Sequence, residues 1–420
     1  MMPTPRRLRS AVEDLAKFDT RRYRRRILVP ILVAWLLFSA WVQPGAPSAF
    51  YTPPDELPGG PAGTIIRDDV IRDVGAGQQA WRVLYTSTDP EGAPIAVSGV
   101  VVAPDGQPPE GGWPVVAWAH GTTGVDRRCA PSIDYPESGV VRVPELDELV
   151  AADTVVAITD YPGLGTPGPH PYLVGESEAR AVLDSIRAAR ALLGTDAVSS
   201  TAAIYGHSQG GHASVWADQI AGSYAPELDV AGVAAMAPPT DLGTLLDDDV
   251  KEADGIVLGA LAISSWSEYY PDADEAAIVE PVARPVVDDI GGKCIATAAQ
   301  GFTDVPDVLA LEVTFLSQNP ATAPGWSDRL RENSPGDVST TIPLLVAQGE
   351  SDTLVRPDVT SEYVQAQCAA GASIEYVTYP HTGHFAVRTV AAPMVRDWLL
   401  ARLRGDPTDS GCTERQGSDE

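Results

Sequence analysis

Six short apolar runs, each separated from the next by a helix-length or longer segment, constrain this chain more than any other feature. They are PVVAWAH (114–120), TVVAITD (154–160), AAIYG (202–206), VAGVAAMAP (230–238), IPLLVAQG (342–349) and SIEYVTYP (373–380). Strands apolar on both faces belong to a parallel sheet covered by helices on either side. The intervening segments suit those helices. ESEARAVLDSIRAARALLG (176–194) sets Val182, Ile186 and Ala189 on one stripe and stops at Gly194. PDVTSEYVQAQCAAG and AVRTVAAPMVRDWLLARLRG supply two later helices. Ahead of the first run, AWRVLYTST and IAVSGVVVAP flank the turn signal DPEGAP and read as an antiparallel pair. The alternation predicts an α/β fold, a mostly parallel, doubly wound sheet over 64–239 and 336–405.

The interval 240–335 breaks this rhythm. It holds helix-like pieces, such as GIVLGALAISSWSEYY, and no good buried strand, and it is too long for a structureless loop. It is expected to be a helical cap inserted between two sheet strands. Residues 49–63 read as a Pro-rich linker, and 406–420 as a polar C-terminal tail, mobile beyond Cys412.

The N-terminus has a different grammar. A basic tail (1–26) ends in RRYRRR, and a 16-residue uncharged apolar run, ILVPILVAWLLFSAWV, follows from Ile27 to Val42. Small residues at Ala46 and Ser48 come next, so 27–48 reads as a signal peptide or signal-anchor helix. In the anchor form, residues 27–42 would contact the membrane; in either form the body lies outside the cytoplasm. The first 50 residues carry nine Lys/Arg against three Asp/Glu, in a chain of net charge -28, so the body is strongly acidic. Such a body repels nucleic acid, and no nucleic-acid partner is expected. Four widely spaced cysteines, Cys129, Cys294, Cys368 and Cys412, contain no C-x-x-C pair. In an exported chain they predict two disulfides, with three pairings open. No metal constellation and no dinucleotide fingerprint is visible. The reading expects a monomer without a cofactor.

Chemistry centres on AIYGHSQGGH (203–212), whose core Gly206-His207-Ser208-Gln209-Gly210 is a G-x-S-x-G pattern. In a chain with 38 glycines the pattern alone carries little. Its context carries more: an apolar strand precedes Ser208 and a helical segment follows, the strand–turn–helix of a nucleophile elbow. A serine hydroxyl needs a base, and the base an orienting carboxylate, each following in chain order at the end of a later strand. Asp352, in LLVAQGESDTLV, is the candidate acid, with Glu350 and Asp358 as rivals. His384, in YVTYPHTGHFAV, is the candidate base, with His381 as rival. His207 and His212 flank the elbow and shape it. Oxyanion donors are expected from the backbone N–H of Gln209 and from Gly121 or Thr122 in WAHGTTGVD.

HGTTG, then Cys129-Ala130-Pro131-Ser132, DYPGLGTPGPHPYL (160–173) and G-H-S-Q-G together resemble the secretory lipase family of α/β-hydrolases, the fungal lipase-A-like group and its bacterial relatives. The likeness runs from about residue 60 to about residue 405. It implies the α/β-hydrolase fold with an inserted cap (lid), a triad of Ser208, Asp352 and His384, no cofactor, and hydrolysis of carboxylic esters including triacylglycerols. It also implies pairing of Cys129 with Cys294 and of Cys368 with Cys412. The long basic leader departs from the family pattern. The expected activity is an exported serine ester hydrolase acting on a small-molecule or lipid ester. The alternatives are a cell-envelope acyltransferase using the same triad, and a non-catalytic binding protein on the same scaffold.

Overall fold

The apolar runs become the middle of a ten-stranded sheet, seen in a computed structural model. It describes residues 37–417 except positions 40, 73, 136–141, 251, 337–340 and 409–410. The strands are β1 (Ile65–Ile71), β2 (Gln78–Thr88), β3 (Pro94–Pro104), β4 (Trp113–Ala119), β5 (Val155–Thr159), β6 (Val198–His207), β7 (Asp229–Met236), β8 (Leu344–Gly349), β9 (Ile374–Tyr379) and β10 (Thr413–Gln416). Their order across the sheet is β1-β2-β3-β5-β4-β6-β7-β8-β9-β10. β1, β2 and β3 pair antiparallel, as does β3 with β5; every pairing from β5 through β4 to β10 is parallel.

Each central strand feeds both layers because successive side chains point to opposite faces. In β4, Val115, Ala117 and Ala119 join the cluster under helices Gly175–Leu193 and Gln209–Tyr224. Val116 and Trp118 join the opposite cluster, with Leu149, Val387, Val395 and Leu399. Val182, Ile186 and Ala189 are fully buried, so the helix packs by the stripe its sequence carries.

Between β7 and β8 the described residues form helices, the longest Ala253–Tyr269, around a separate apolar cluster. Trp266 and Trp326 stack at its centre, ring centroids 6.0 Å apart. A disulfide, Cys129–Cys294, ties this insertion to the loop after β4. Around it Ile295 N–H donates to the Thr123 carbonyl at 2.8 Å, and Arg128 Nη2 donates to the Gly292 carbonyl at 2.5 Å.

Two expectations need correction. The supposed linker contains Phe50 and Tyr51, which are buried against Leu84, with Tyr51 Oη 2.9 Å from Ser132 Oγ. In the tail, Thr413–Gln416 form strand β10, paired parallel with β9 and fastened by the Cys368–Cys412 disulfide. All four β10 residues are exposed, so no apolar pattern announces it; backbone pairing and the Arg415–Glu375 ion pair hold it. The proposed membrane segment falls largely on residues 27–36, outside the described residues. No helix among the described residues is long and apolar enough to cross a membrane.

Candidate active site

Ser208 sits at the end of β6 and caps the helix Gln209–Tyr224 with φ 58° and ψ −121°, a backbone conformation costly for a non-glycine residue. Its two flanking glycines serve space rather than φ. A Cβ on Gly206 would lie 2.1 Å from the Gly210 carbonyl oxygen, and one on Gly210 only 1.9 Å from that of Ala119. The turn is therefore clamped against the end of β4, and the strain falls on the serine.

His384 opens a short helix after β9, and Asp352 lies in the turn after β8. Ser208 Oγ lies 2.8 Å from His384 Nε2, and His384 Nδ1 lies 2.8 Å from Asp352 Oδ2. With Nδ1–H donating to the carboxylate, Nε2 is left to accept the serine proton. Asp352 Oδ1 accepts from the N–H groups of Leu354 and Val355, both at 2.9 Å, and Oδ2 from Gln348 Nε2 at 3.2 Å. Those bonds fix the carboxylate's direction. The rivals lie elsewhere: Glu350 is exposed beside Thr378, Asp358 is exposed and paired with Arg356, and His381 is exposed in a turn at φ 57°.

The flanking histidines brace this line. His207 Nε2–H donates to the backbone carbonyl of His384 at 2.8 Å, and burial drives its pKa well below the ordinary histidine range. It stays neutral and holds the main chain of His384. His212 Nε2 donates to the Asn333 carbonyl at 2.8 Å, tying the elbow helix to the insertion.

Gly121 and Thr122 line the same cavity as Ser208 and His384. His120, kept neutral by burial with its pKa lowered to about 4, donates from Nδ1 to the Gly121 carbonyl at 2.7 Å. Thr122 Oγ1 is 2.9 Å from Tyr172 Oη. Gln209 begins the helix, where the first N–H groups have no intrahelical acceptor. Its side chain donates from Nε2 to Glu178 Oε1 at 2.6 Å. Glu178 is fully buried, its pKa raised by that burial, and it also accepts from Leu173 N–H at 2.9 Å. Sequence reasoning missed Glu178. The available signal was its place four residues before Val182, on the buried stripe of its helix.

Two cavities meet at Ser208. One is narrow, about 60 Å³, and lined among others by Leu242, Leu245, Leu246, Leu258, Ala262 and Trp266. The other is about 430 Å³, mostly apolar, with Thr122, Thr297, Asp254, Asp304 and Arg388 among the residues that line it. No group of His, Cys, Asp and Glu among the described residues could hold a metal ion.

Comparison with known proteins agrees with this architecture. A family model described as secretory lipase matches residues 145–411. Lipase 10 of Candida albicans is 25% identical over 411 residues, covering 88% of this chain and 84% of that relative. A probable inactive lipase of Mycobacterium tuberculosis is 26% identical over 397 residues, covering 87% and 84%. Among solved structures, Candida antarctica lipase A superposes with a TM-score of 0.73 at 20% identity, covering 88% of this chain and 89% of that one.

Proposed function

The chain belongs to the secretory lipase family of α/β-hydrolases and is a carboxylic ester hydrolase, and we propose that it works through Ser208, His384 and Asp352 by way of an acyl-enzyme. The observation that carries the reading is the unbroken hydrogen-bonded line from Ser208 Oγ through His384 to Asp352. Ser208 Oγ attacks the ester carbonyl while His384 Nε2 takes its proton. The N–H of Gln209, with that of Gly121 or Thr122, stabilises the resulting oxyanion. Collapse breaks the bond to the alcohol oxygen, which leaves with the proton from His384. Water, activated by the same imidazole, then releases the acid and frees Ser208.

The narrow cavity, apolar along most of its wall, suits an acyl chain, and the wider one suits the alcohol. A secreted triacylglycerol lipase of Malassezia globosa, 25% identical over 402 residues, supports acylglycerols as substrates and an extracellular location. The two disulfides are consistent with that oxidising compartment. The helical insertion serves as the cap. A relative described as a probable inactive lipase makes the direct assay necessary. Aryl esters of increasing acyl length, with a triacylglycerol emulsion, provide it. Hydrolysis is expected with the parent and loss of at least about 10⁴-fold in kcat with Ser208→Ala. Equal rates for the two would refute the assignment.

A further inference from the structure

Behind the nucleophile elbow lies a buried polar cluster that the steps of ester hydrolysis leave unused. Gln209, 1% exposed, has both hydrogens of its side-chain amide engaged. One goes to Glu178 Oε1 at 2.6 Å, the other to His170 Nε2 at 3.2 Å. His170 accepts there because its Nδ1–H donates to the Pro162 carbonyl at 2.8 Å, and burial, lowering its pKa to about 3, keeps the ring neutral. Glu178 Oε1 also accepts from Leu173 N–H at 2.9 Å. Glu178 Oε2 faces His212 Nδ1 across 3.5 Å, and neither atom has a hydrogen-bond partner among the described residues. His212 Nε2 carries its hydrogen toward the Asn333 carbonyl, so a neutral ring would leave Nδ1 bare. Two bare acceptors facing each other in a fully buried site repel, so one proton lies between them. With that proton the pair is uncharged as a whole.

The cluster reaches both sides of the oxyanion hole. Gln209 directly follows Ser208, and its amide ties it to the helix Gly175–Leu193, which carries Glu178. Leu173, held at φ 54°, follows Tyr172, whose Oη stands 2.9 Å from Thr122 Oγ1 in the loop of the second donor. One carboxyl group therefore holds Gln209 directly, and reaches Thr122 through two residues of chain. Oxyanion donors work by being in place before charge develops. Resting on the ester-hydrolase reading above, we propose that Glu178, sharing a proton with His212, is a positioning residue for the oxyanion hole. It touches no substrate. It fixes the first residue of the elbow helix, and with it the N–H that meets the oxyanion.

The test separates transition-state binding from substrate binding and from folding. kcat and KM are measured on an aryl butanoate, and Ki on butylboronic acid. Ser208 Oγ bonds to boron as its proton passes to His384, giving a tetrahedral anion in the oxyanion hole. Ki does not depend on how much of a preparation is folded. In Glu178→Leu, Ki is expected to rise and kcat to fall by about tenfold, less than the loss of a whole donor would cost. KM moves by less than about twofold, because the substrate carbonyl is held no differently before attack. Glu178→Gln brings Ki and kcat back to within about threefold of the parent, since its amide oxygen accepts and its N–H meets His212 Nδ1. Gln209→Met keeps the backbone N–H and removes only the amide, so it matches Glu178→Leu, and it serves alone where that variant does not fold. An unchanged Ki in Gln209→Met, or a Glu178→Gln variant as impaired as Gln209→Met, overturns the proposal alone. A parent that hydrolyses no ester overturns the ester reading and this proposal with it.

Discussion

The two walls of the wider cavity are built by different means. Ser208, His384 and the Gly121–Thr122 loop stand at or just beyond the ends of parallel strands buried on both faces. The opposite wall comes from the insertion between β7 and β8, on helices that range from four to seventeen residues. Strand ends hold their groups in place because a register slip would turn every buried side chain to the wrong layer. Short helices are marginal on their own, so that wall depends on packing and on one disulfide. On the proposed reading the contrast separates chemistry from selectivity: Ser208 and His384 sit on the strand-end wall, and the insertion supplies the other.

Substitutions can strain this division. The largest effect is expected on the sheet side, from Gly210→Ala. Its Cβ would lie 1.9 Å from the Ala119 carbonyl oxygen, so β4 or the elbow must move. A displacement near 1 Å costs about 100-fold in kcat, together with about 1–3 kcal/mol of stability. Gly222→Ala, on the same helix, meets nothing within 4 Å and should stabilise by about 0.5–1 kcal/mol without loss of rate. Equal effects of the two would show that the elbow is not clamped.

An intermediate effect is expected where the walls join. Replacing Cys129 and Cys294 together by serine opens the seam, with an expected cost of about 2–4 kcal/mol in thermal or denaturant unfolding. Ile295, Thr297 and Ala298, which follow Cys294, line the cavity, so KM should rise several-fold while kcat changes less. A fall in kcat with unchanged KM would mean that the insertion supports the chemistry after all.

The smallest effect concerns Asp304 and pH. Burial outweighs the nearby Lys293 and, with Asp307 and Asp289, holds its pKa at about 6 against an ordinary 3.8. A folded pKa above the unfolded one means that the protonated form is favoured by folding. That contribution is complete below pH of about 4 and is lost as pH rises through about 6. Asp304→Asn cannot ionise, so its Tm relative to the parent should climb by about 1–3 °C between pH 4.5 and 7.5. A flat difference would show that the carboxyl is not buried uncompensated.

How much of each wall could be read from sequence follows the same division. The central strands were legible because burial on both faces leaves unbroken apolar runs, and the places of Ser208, Asp352 and His384, which hydrogen bonds join in one line, because each follows such a run. β1 was missed because Arg67, Asp68 and Asp69 interrupt it at a partly exposed edge. β10 was missed because its four residues are all exposed. Phe50 and Tyr51 were lost among prolines, although two aromatics beside a strand pair are a packing signal. The carboxylates lining the wider cavity, Asp254 and Asp304, were not legible. Their positions depend on how short helices fold back, which no local periodicity encodes.

Everything proposed for the mechanism depends on Ser208 being an activated nucleophile. Incubation of the folded protein with a serine-reactive phosphonate, followed by peptide mass spectrometry, tests it most directly. A single adduct on Ser208 is expected, with hydrolysis lost in proportion to labelling and no adduct in Ser208→Ala. An unlabelled parent, or equal labelling of the Ser208→Ala variant, would contradict it.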